Sequence, residues 1–204
     1  MNRAELKAMA KAQIKGRIGI LFVCYLIIFG IGVVAALVPG VGAIAGVVIS
    51  PALSVGLCMI YLAITRGEGV DISNLFNGFQ CLGKAFWLTI LIGIFTFLWS
   101  LLFWIPGIIK GLSYSMAFYV LADHPEMTAR EALRESKRMM HGHKMDLFIL
   151  QLSFILWMLL CTVTAGIAGV YVVPYQSCTI ANFYQQIKNR PQTTAYGSTP
   201  YNTI

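Results

Sequence analysis

Acidic charge is what this chain has least of. Its 204 residues include eight Asp and Glu against fifteen Lys and Arg, and charged residues of both signs make up only 11%. A soluble domain carries roughly a quarter charged residues, so a chain this poor in charge has too little polar surface to stay monomeric in water. Cysteine is scarce and unpatterned. Cys24, Cys58, Cys81, Cys161 and Cys178 are odd in number, show no CxxC spacing, and mostly sit in apolar runs, where Cys behaves as a small hydrophobe. That argues against a disulfide framework or a zinc site. HExxH, GxSxG, P-loop and dinucleotide fingerprints are missing as well. His141 and His143 are two apart and fall on different helix faces, and His124 lies in a turn before Pro125. The reading is therefore a chain with no enzymatic activity, no cofactor and no metal.

What is present is apolar. Residues of hydrophobic type reach 58% and mean hydropathy is +0.74. A membrane slab about 30 Å thick takes about 20 apolar residues of helix. Six such runs can be drawn, at 18–38, 41–65, 85–105, 108–122, 147–163 and 165–183. The run from Ile18 exceeds the roughly 7–15 residues of a signal-peptide core, and Val34-Ala35-Ala36 is a poor cleavage site, so it reads as an uncleaved first span. Trp87 and Trp104 bracket the third run, about 26 Å apart along a helix, as interfacial Trp residues do. In this arrangement every Lys and Arg except Lys110 falls on one side, and so do all eight acids. The positive-inside rule then puts both termini in the cytoplasm of a plasma-membrane protein. Because the cations sit beside apolar runs rather than on a separate basic domain, the net charge of +7 points to lipid headgroups and not to nucleic acid.

Three amphipathic segments lie on the basic side. In the first, Leu6, Met9, Ala10 and Ile14 oppose a ridge of Arg3, Lys7, Lys11 and Lys15, the expected contacts of anionic headgroups. The second places Ile72, Leu75, Phe76 and Phe79 on one face after Asp71, a candidate N-cap. The third opens on Thr128 with Glu131 three residues on, a capping box, and its less polar face is Ala129, Ala132, Leu133, Ser136 and Met140. Within the second run, Gly42, Gly46, Ser50, Ser54 and Cys58 form a small-residue ridge suited to close helix packing, and Pro51 is expected to kink it.

The same plan recurs three times, over about 2–65, 71–123 and 128–187. Each unit has an amphipathic helix, a Gly-basic junction (Gly16, Gly83, Gly142), an ascending span, a tight turn at Pro39-Gly40, Pro106-Gly107 or the Val163–Ala165 region, and a descending span. Ten residues after the central Pro51, Ser113 and Pro174 of the descending segments stand Tyr61, Asp123 and Tyr184. The expected fold is all-α and polytopic: one membrane domain over 1–190, six transmembrane helices in three hairpins, and a disordered tail at 191–204. Polar groups in hydrocarbon must find partners or face a cavity. Tyr114, Gln151, Tyr175, Gln176 and Asn182 are the candidates for a polar cleft between the second and third hairpins.

Segments 113–117 (SYSMA), 121–125 (LADHP) and 132–142 (ALRESKRMMHG) resemble an uncharacterised bacterial membrane family, the domain of unknown function 975. So do Leu152–Trp157, Pro174-Tyr175 and Ala181–Tyr184. The pattern is similar to the membrane domain fused to some glycerophosphodiester phosphodiesterases, whose catalytic domain has no counterpart here. The resemblance implies an integral membrane protein of about six spans and supplies no catalytic residues. Two functions follow as expectations. The first is a non-enzymatic role at the lipid surface or as an accessory to other membrane proteins, with homo-oligomers allowed. The alternative is a transporter or exporter of an amphipathic small molecule, lipid or peptide.

Overall fold

A computed structural model describes residues 3–37, 41–102, 104–164 and 168–189. Among these the secondary structure is helical throughout. In chain order the helices are α1 (Arg3–Ile14), α2 (Ile18–Ala36), α3 (Val41–Arg66), α4 (Ser73–Asn77), α5 (Leu82–Leu102) and α6 (Trp104–Tyr114). They continue as α7 (Ala117–Asp123), α8 (Ala129–Met139), α9 (Lys144–Leu152), α10 (Ile155–Val163) and α11 (Gly169–Lys188), with a 3-10 turn at Gly78–Cys81 between α4 and α5. The Pro39-Gly40 and Val163–Ala165 turns fall wholly or partly outside the described residues, as does the tail from 191.

α3 is the centre of the packing: α2, α4, α5, α7 and α11 all lie against it. Its segment from Ala52 to Ile64 is largely buried, and the helix runs through Pro51 without a break. The closest approach is not along the expected ridge. A side-chain carbon at Gly46 would meet nothing, and Ser50 is exposed. One at Gly56 would lie 2.1 Å from the Leu75 carbonyl oxygen, and one at Gly78 would lie 2.1 Å from that of Ala52. The second amphipathic segment therefore docks on the Ala52–Gly56 face, backbone to backbone. That docking splits its apolar set: Leu75 is fully buried, whereas Ile72 and Phe76 are exposed. Asp71 makes no side-chain cap, because the helix begins after Ile72.

α1 turns sharply into α2, by 85°, at Gly16, whose φ of +91° suits glycine. Leu6, Ala10 and Ile14 are buried as α1 packs on α11, and only Met9 of its apolar set remains open, at 40% exposure. Protein, not acyl chain, covers this stripe. Gly142 has a similar left-handed φ of +83° before α9, whereas Gly83 lies in the first turn of α5 without that conformation.

Among the described residues, three helices are long and apolar enough to cross a membrane: Gly46–Arg66, Ser73–Leu98 and Lys144–Val163. The bent pair Ala4–Ile14 with Ile18–Val34 makes a fourth if it counts as one span. The expected fourth run is two short helices, α6 and α7, interrupted at Ser115–Met116. At 1.5 Å per residue they reach only about 16 Å and about 10 Å. Ser113 and Ser115 donate to the carbonyls of Ile109 and Leu112, local bonds that compete with the helical ladder near the break. α6 starts before Pro106-Gly107 rather than after it, with Pro106 in the first turn, where no intrahelical donor is lost. The fifth run breaks at Ser153–Phe154.

The capping box of α8 forms as read. Glu131 accepts from the Thr128 N–H at 2.8 Å, and Thr128 Oγ1 accepts from the Glu131 N–H at 3.4 Å. Ala129, Ala132, Leu133, Ser136 and Met140 are buried. Ser136 Oγ donates to the Ser113 carbonyl at 2.9 Å, which pins α8 to the end of α6. Large exposed apolar side chains gather on α2 (Phe29, Val34), the second half of α5 (Phe97, Leu101) and α10 (Leu156, Val163).

Candidate functional site

Three helices end together at one carboxylate. Asp123 closes α7, where the helix dipole disfavours negative charge, and its side chain is 4% exposed. Arg66 closes α3 and Lys188 closes α11, at C-termini that favour cations. Arg66 Nη2 donates to Asp123 Oδ1, and Lys188 Nζ donates to Oδ2. The Tyr184 hydroxyl adds a third donor, to Oδ2 at 3.0 Å. Burial pushes the Asp123 carboxyl up, but the bonds from Lys188, Arg66 and Tyr184 outweigh it and hold the group below the usual carboxylate range. His124 Nε2 lies 3.4 Å from Lys188 Nζ, and Lys84 at the start of α5 donates to the Pro125 carbonyl at 2.7 Å. The chain just past α7 is therefore held from α5 and α11.

A second polar set lies between α1 and α11. Gln13 Oε1 accepts from Asn182 Nδ2 at 2.7 Å and from the Cys178 thiol at 3.5 Å. Nearby in the bundle the Tyr25 and Tyr61 hydroxyls are 2.8 Å apart, and the Tyr119 hydroxyl donates to the Ser177 carbonyl at 3.3 Å. These bonds tie α2 to α3 and α7 to α11.

The residues read as a polar cleft have different neighbours. Tyr114 is buried with its ring centroid 6.2 Å from Phe95 on α5. Tyr175 meets Phe154, at the α9–α10 break, edge-on at 5.3 Å. Asn182 is taken up by Gln13, and Gln151 and Gln176 are half-buried. In the cationic ridge of α1, Lys11 and Lys15 are exposed, while the Lys7 ammonium stands 4.7 Å over the Phe154 ring. The Arg3 side chain is outside the described residues. Lys110 is not set apart from the other cations: it lies on α6, which packs on α8 and α9, within electrostatic reach of Lys137 and Lys144. Among the described residues no group of three or more His, Cys, Asp or Glu is placed to hold a metal.

The Asp123 cluster did not emerge from the sequence as a site. Its signal was present, because Asp123 and Tyr184 occupy matching places ten residues after the middle of two descending segments. Nothing in that spacing, however, indicated that Arg66 and Lys188 would converge on one of them.

The class defined by this architecture is an all-helical protein with three or four helices of membrane-crossing length and apolarity. Residues 1–110 and 101–191 match the family described as Protein of unknown function (DUF975), and the chain belongs to that family. No curated protein and no solved structure matches the chain.

Proposed function

We propose that this chain is a non-enzymatic, multi-pass protein of the plasma membrane, with both termini cytoplasmic, acting at the lipid surface or as an accessory to other membrane proteins. The observation that carries this reading is the division of its surface. Bulky apolar side chains are exposed on α2, α5 and α10, whereas α1 with the turn after it and α8 present Lys11, Lys15, Arg130, Arg134, Lys137 and Arg138. An apolar zone of that kind needs acyl chains or a partner to cover it. Cations next to it are drawn to anionic headgroups. In this reading α6 with α7, and α11, complete six passes as short or polar-lined segments. The buried polar groups favour a packed interior over a transport path, since Asn182, Tyr61, Ser136 and Asp123 are each engaged by a neighbouring helix.

The test has two readings. The full chain, expressed with a C-terminal tag, should stay in the membrane through alkaline carbonate extraction, with the tag reached by protease only in inverted vesicles. Neutralising Lys11 and Lys15 with Gln should weaken its association with anionic lipid or change the set of membrane proteins that co-purify. Extraction by carbonate would reject the membrane reading. An unaltered lipid and partner profile in the double variant would reject the surface role of α1.

A further inference from the structure

His124 sits where the clamp on Asp123 can be remade. Its Nδ1 lies 3.0 Å from Glu126 Oε1, and its Nε2 lies 3.4 Å from Lys188 Nζ. A carboxylate only accepts and an ammonium only donates. The ring therefore donates from Nδ1 to Glu126 and accepts at Nε2 from Lys188, which is the arrangement of a neutral imidazole with both nitrogens used. A proton added at Nε2 would set two cationic N–H groups face to face across 3.4 Å. Imidazole is the side chain whose ordinary charge change falls between about pH 5 and about pH 8.

An acceptor for that proton is within reach. Asp123 Oδ2 is 4.0 Å from His124 Nε2, about 1 Å beyond an ordinary hydrogen bond, and it is the oxygen that Lys188 holds. The His124 side chain is partly exposed, so the ring has room to turn. Lys188 closes α11 and is also partly exposed, so its ammonium can leave for water. The other charges on this side do not stand in the way. Arg66 and Tyr184 bond to Asp123 in either state, and Lys84 of α5 is engaged with the Pro125 and Glu126 carbonyls. On α8, Glu131 serves the capping box and Glu135 pairs with Arg138 at 2.8 Å. Glu68, just past Arg66, is exposed.

We propose that His124 is a proton-operated switch on the end of α11: protonation at Nε2 transfers Asp123 Oδ2 from Lys188 to His124 and frees the last turn of α11 from α3 and α7. The carboxylate keeps three donors in both states, Arg66 and Tyr184 with either Lys188 or His124, so one helix end loosens while the clamp persists. The switch goes beyond the lipid-surface reading and uses no contact with a membrane.

The experiment compares the full-length protein in detergent micelles at about pH 7.5 and about pH 5.5. Hydrogen–deuterium exchange is followed by mass spectrometry, with rates corrected for the intrinsic pH dependence of amide exchange. In the wild type the peptide spanning 184–189 should exchange about tenfold faster at the lower pH, a usual size for coupling between linked sites. Peptides from the middle of α3 should not change. His124→Gln, which cannot take up the proton, should keep the wild type's neutral-pH rate at both values. His124→Arg, charged throughout, should show the fast rate at both. His141 and His143 are present in every variant, so a response that they carried would survive His124→Gln. Equal rates in the wild type overturn the switch, and so does a pH response retained by His124→Gln or slow exchange in His124→Arg. Acid-accelerated exchange in α3 as well would mark general unfolding and overturn it too. If His124→Gln does not fold, Lys188→Gln decides: with no ammonium to displace, its α11 end should exchange fast at both values, and a persisting pH step overturns the proposal.

Discussion

Asp123 on α7 and Tyr184 on α11 are joined by a 3.0 Å hydrogen bond, although they are 61 residues apart. They hold the same position in two units of the threefold plan, ten residues after Ser113 and Pro174. Arg66 and Lys188 turn that bond into a clamp across the ends of α3, α7 and α11. A buried carboxylate with three donors becomes costly when it is removed, because the donors stay behind. Breaking a buried pair costs roughly 3–5 kcal/mol. Here Arg66 and Lys188 keep about a third of their side chains in solvent, so water compensates part of the loss. Asp123→Ala should therefore destabilise the protein by about 2 kcal/mol, read as a lowered midpoint of thermal unfolding in detergent micelles. An unchanged midpoint would mean that the clamp holds nothing.

The same carboxylate sets a direction for pH. Its folded-state pKa lies below the ordinary value near 4, so its stabilising contribution is complete above that value and is lost as pH falls through the folded one. Glu126 and Glu131 are also held low, Glu126 first by a backbone hydrogen bond and Glu131 by the N–H of Thr128, so acid weakens the wild type through more than one group. The difference between wild type and Asp123→Asn isolates the clamp. It should be constant from neutral pH to about pH 5 and shrink below about pH 4. A difference that grows on acidification would reverse the assignment.

Gly56 and Gly78 give the sharpest steric prediction. Any side chain at either position meets backbone at 2.1 Å, and a carbonyl oxygen cannot rotate away as a side-chain tip can. Gly56→Ala and Gly78→Ala should each cost at least about 2 kcal/mol or prevent folding, whereas Gly46→Ala, facing open space, should be neutral or mildly stabilising. Yield of monodisperse protein on size exclusion distinguishes the three. Equal behaviour would place the α3–α4 contact elsewhere.

How far the sequence could be read depends on the range of the interaction. The Thr128–Glu131 box and the buried face of α8 form as their spacing dictates, whereas the runs at 108–122 and 147–163 are each broken into two shorter helices. The apolar stripe of α1 was legible too, but not its cover. Leu6, Ala10 and Ile14 suit an acyl layer as well as the side of α11, and only tertiary packing decides. The small-residue ridge is packed at Cys58 but open at Gly46 and Ser50, for a related reason. α3 carries small residues on two faces, and composition cannot say which one a neighbour will use. The packing of Lys110's helix on α8 and α9 was not legible either, because it joins segments remote in sequence.

The link between Gln13 and Asn182 offers a last measurement, on the polar seam that holds α1 against α11. Asn182 is buried, its amide nitrogen donates to Gln13 Oε1 at 2.7 Å, and the Cys178 thiol shares that acceptor. Interhelical polar bonds in membrane proteins are worth about 0.6 kcal/mol on average and up to about 1.7. A double-mutant cycle of Gln13→Leu and Asn182→Leu should therefore give a coupling of about 1 kcal/mol. Each single variant leaves an unmatched amide between the helices and should be less stable than the pair would suggest. The double variant should recover part of the loss, because two leucines fill the same space without an orphaned donor. Strict additivity of the two changes would show that α1 is held by Leu6, Ala10 and Ile14 alone.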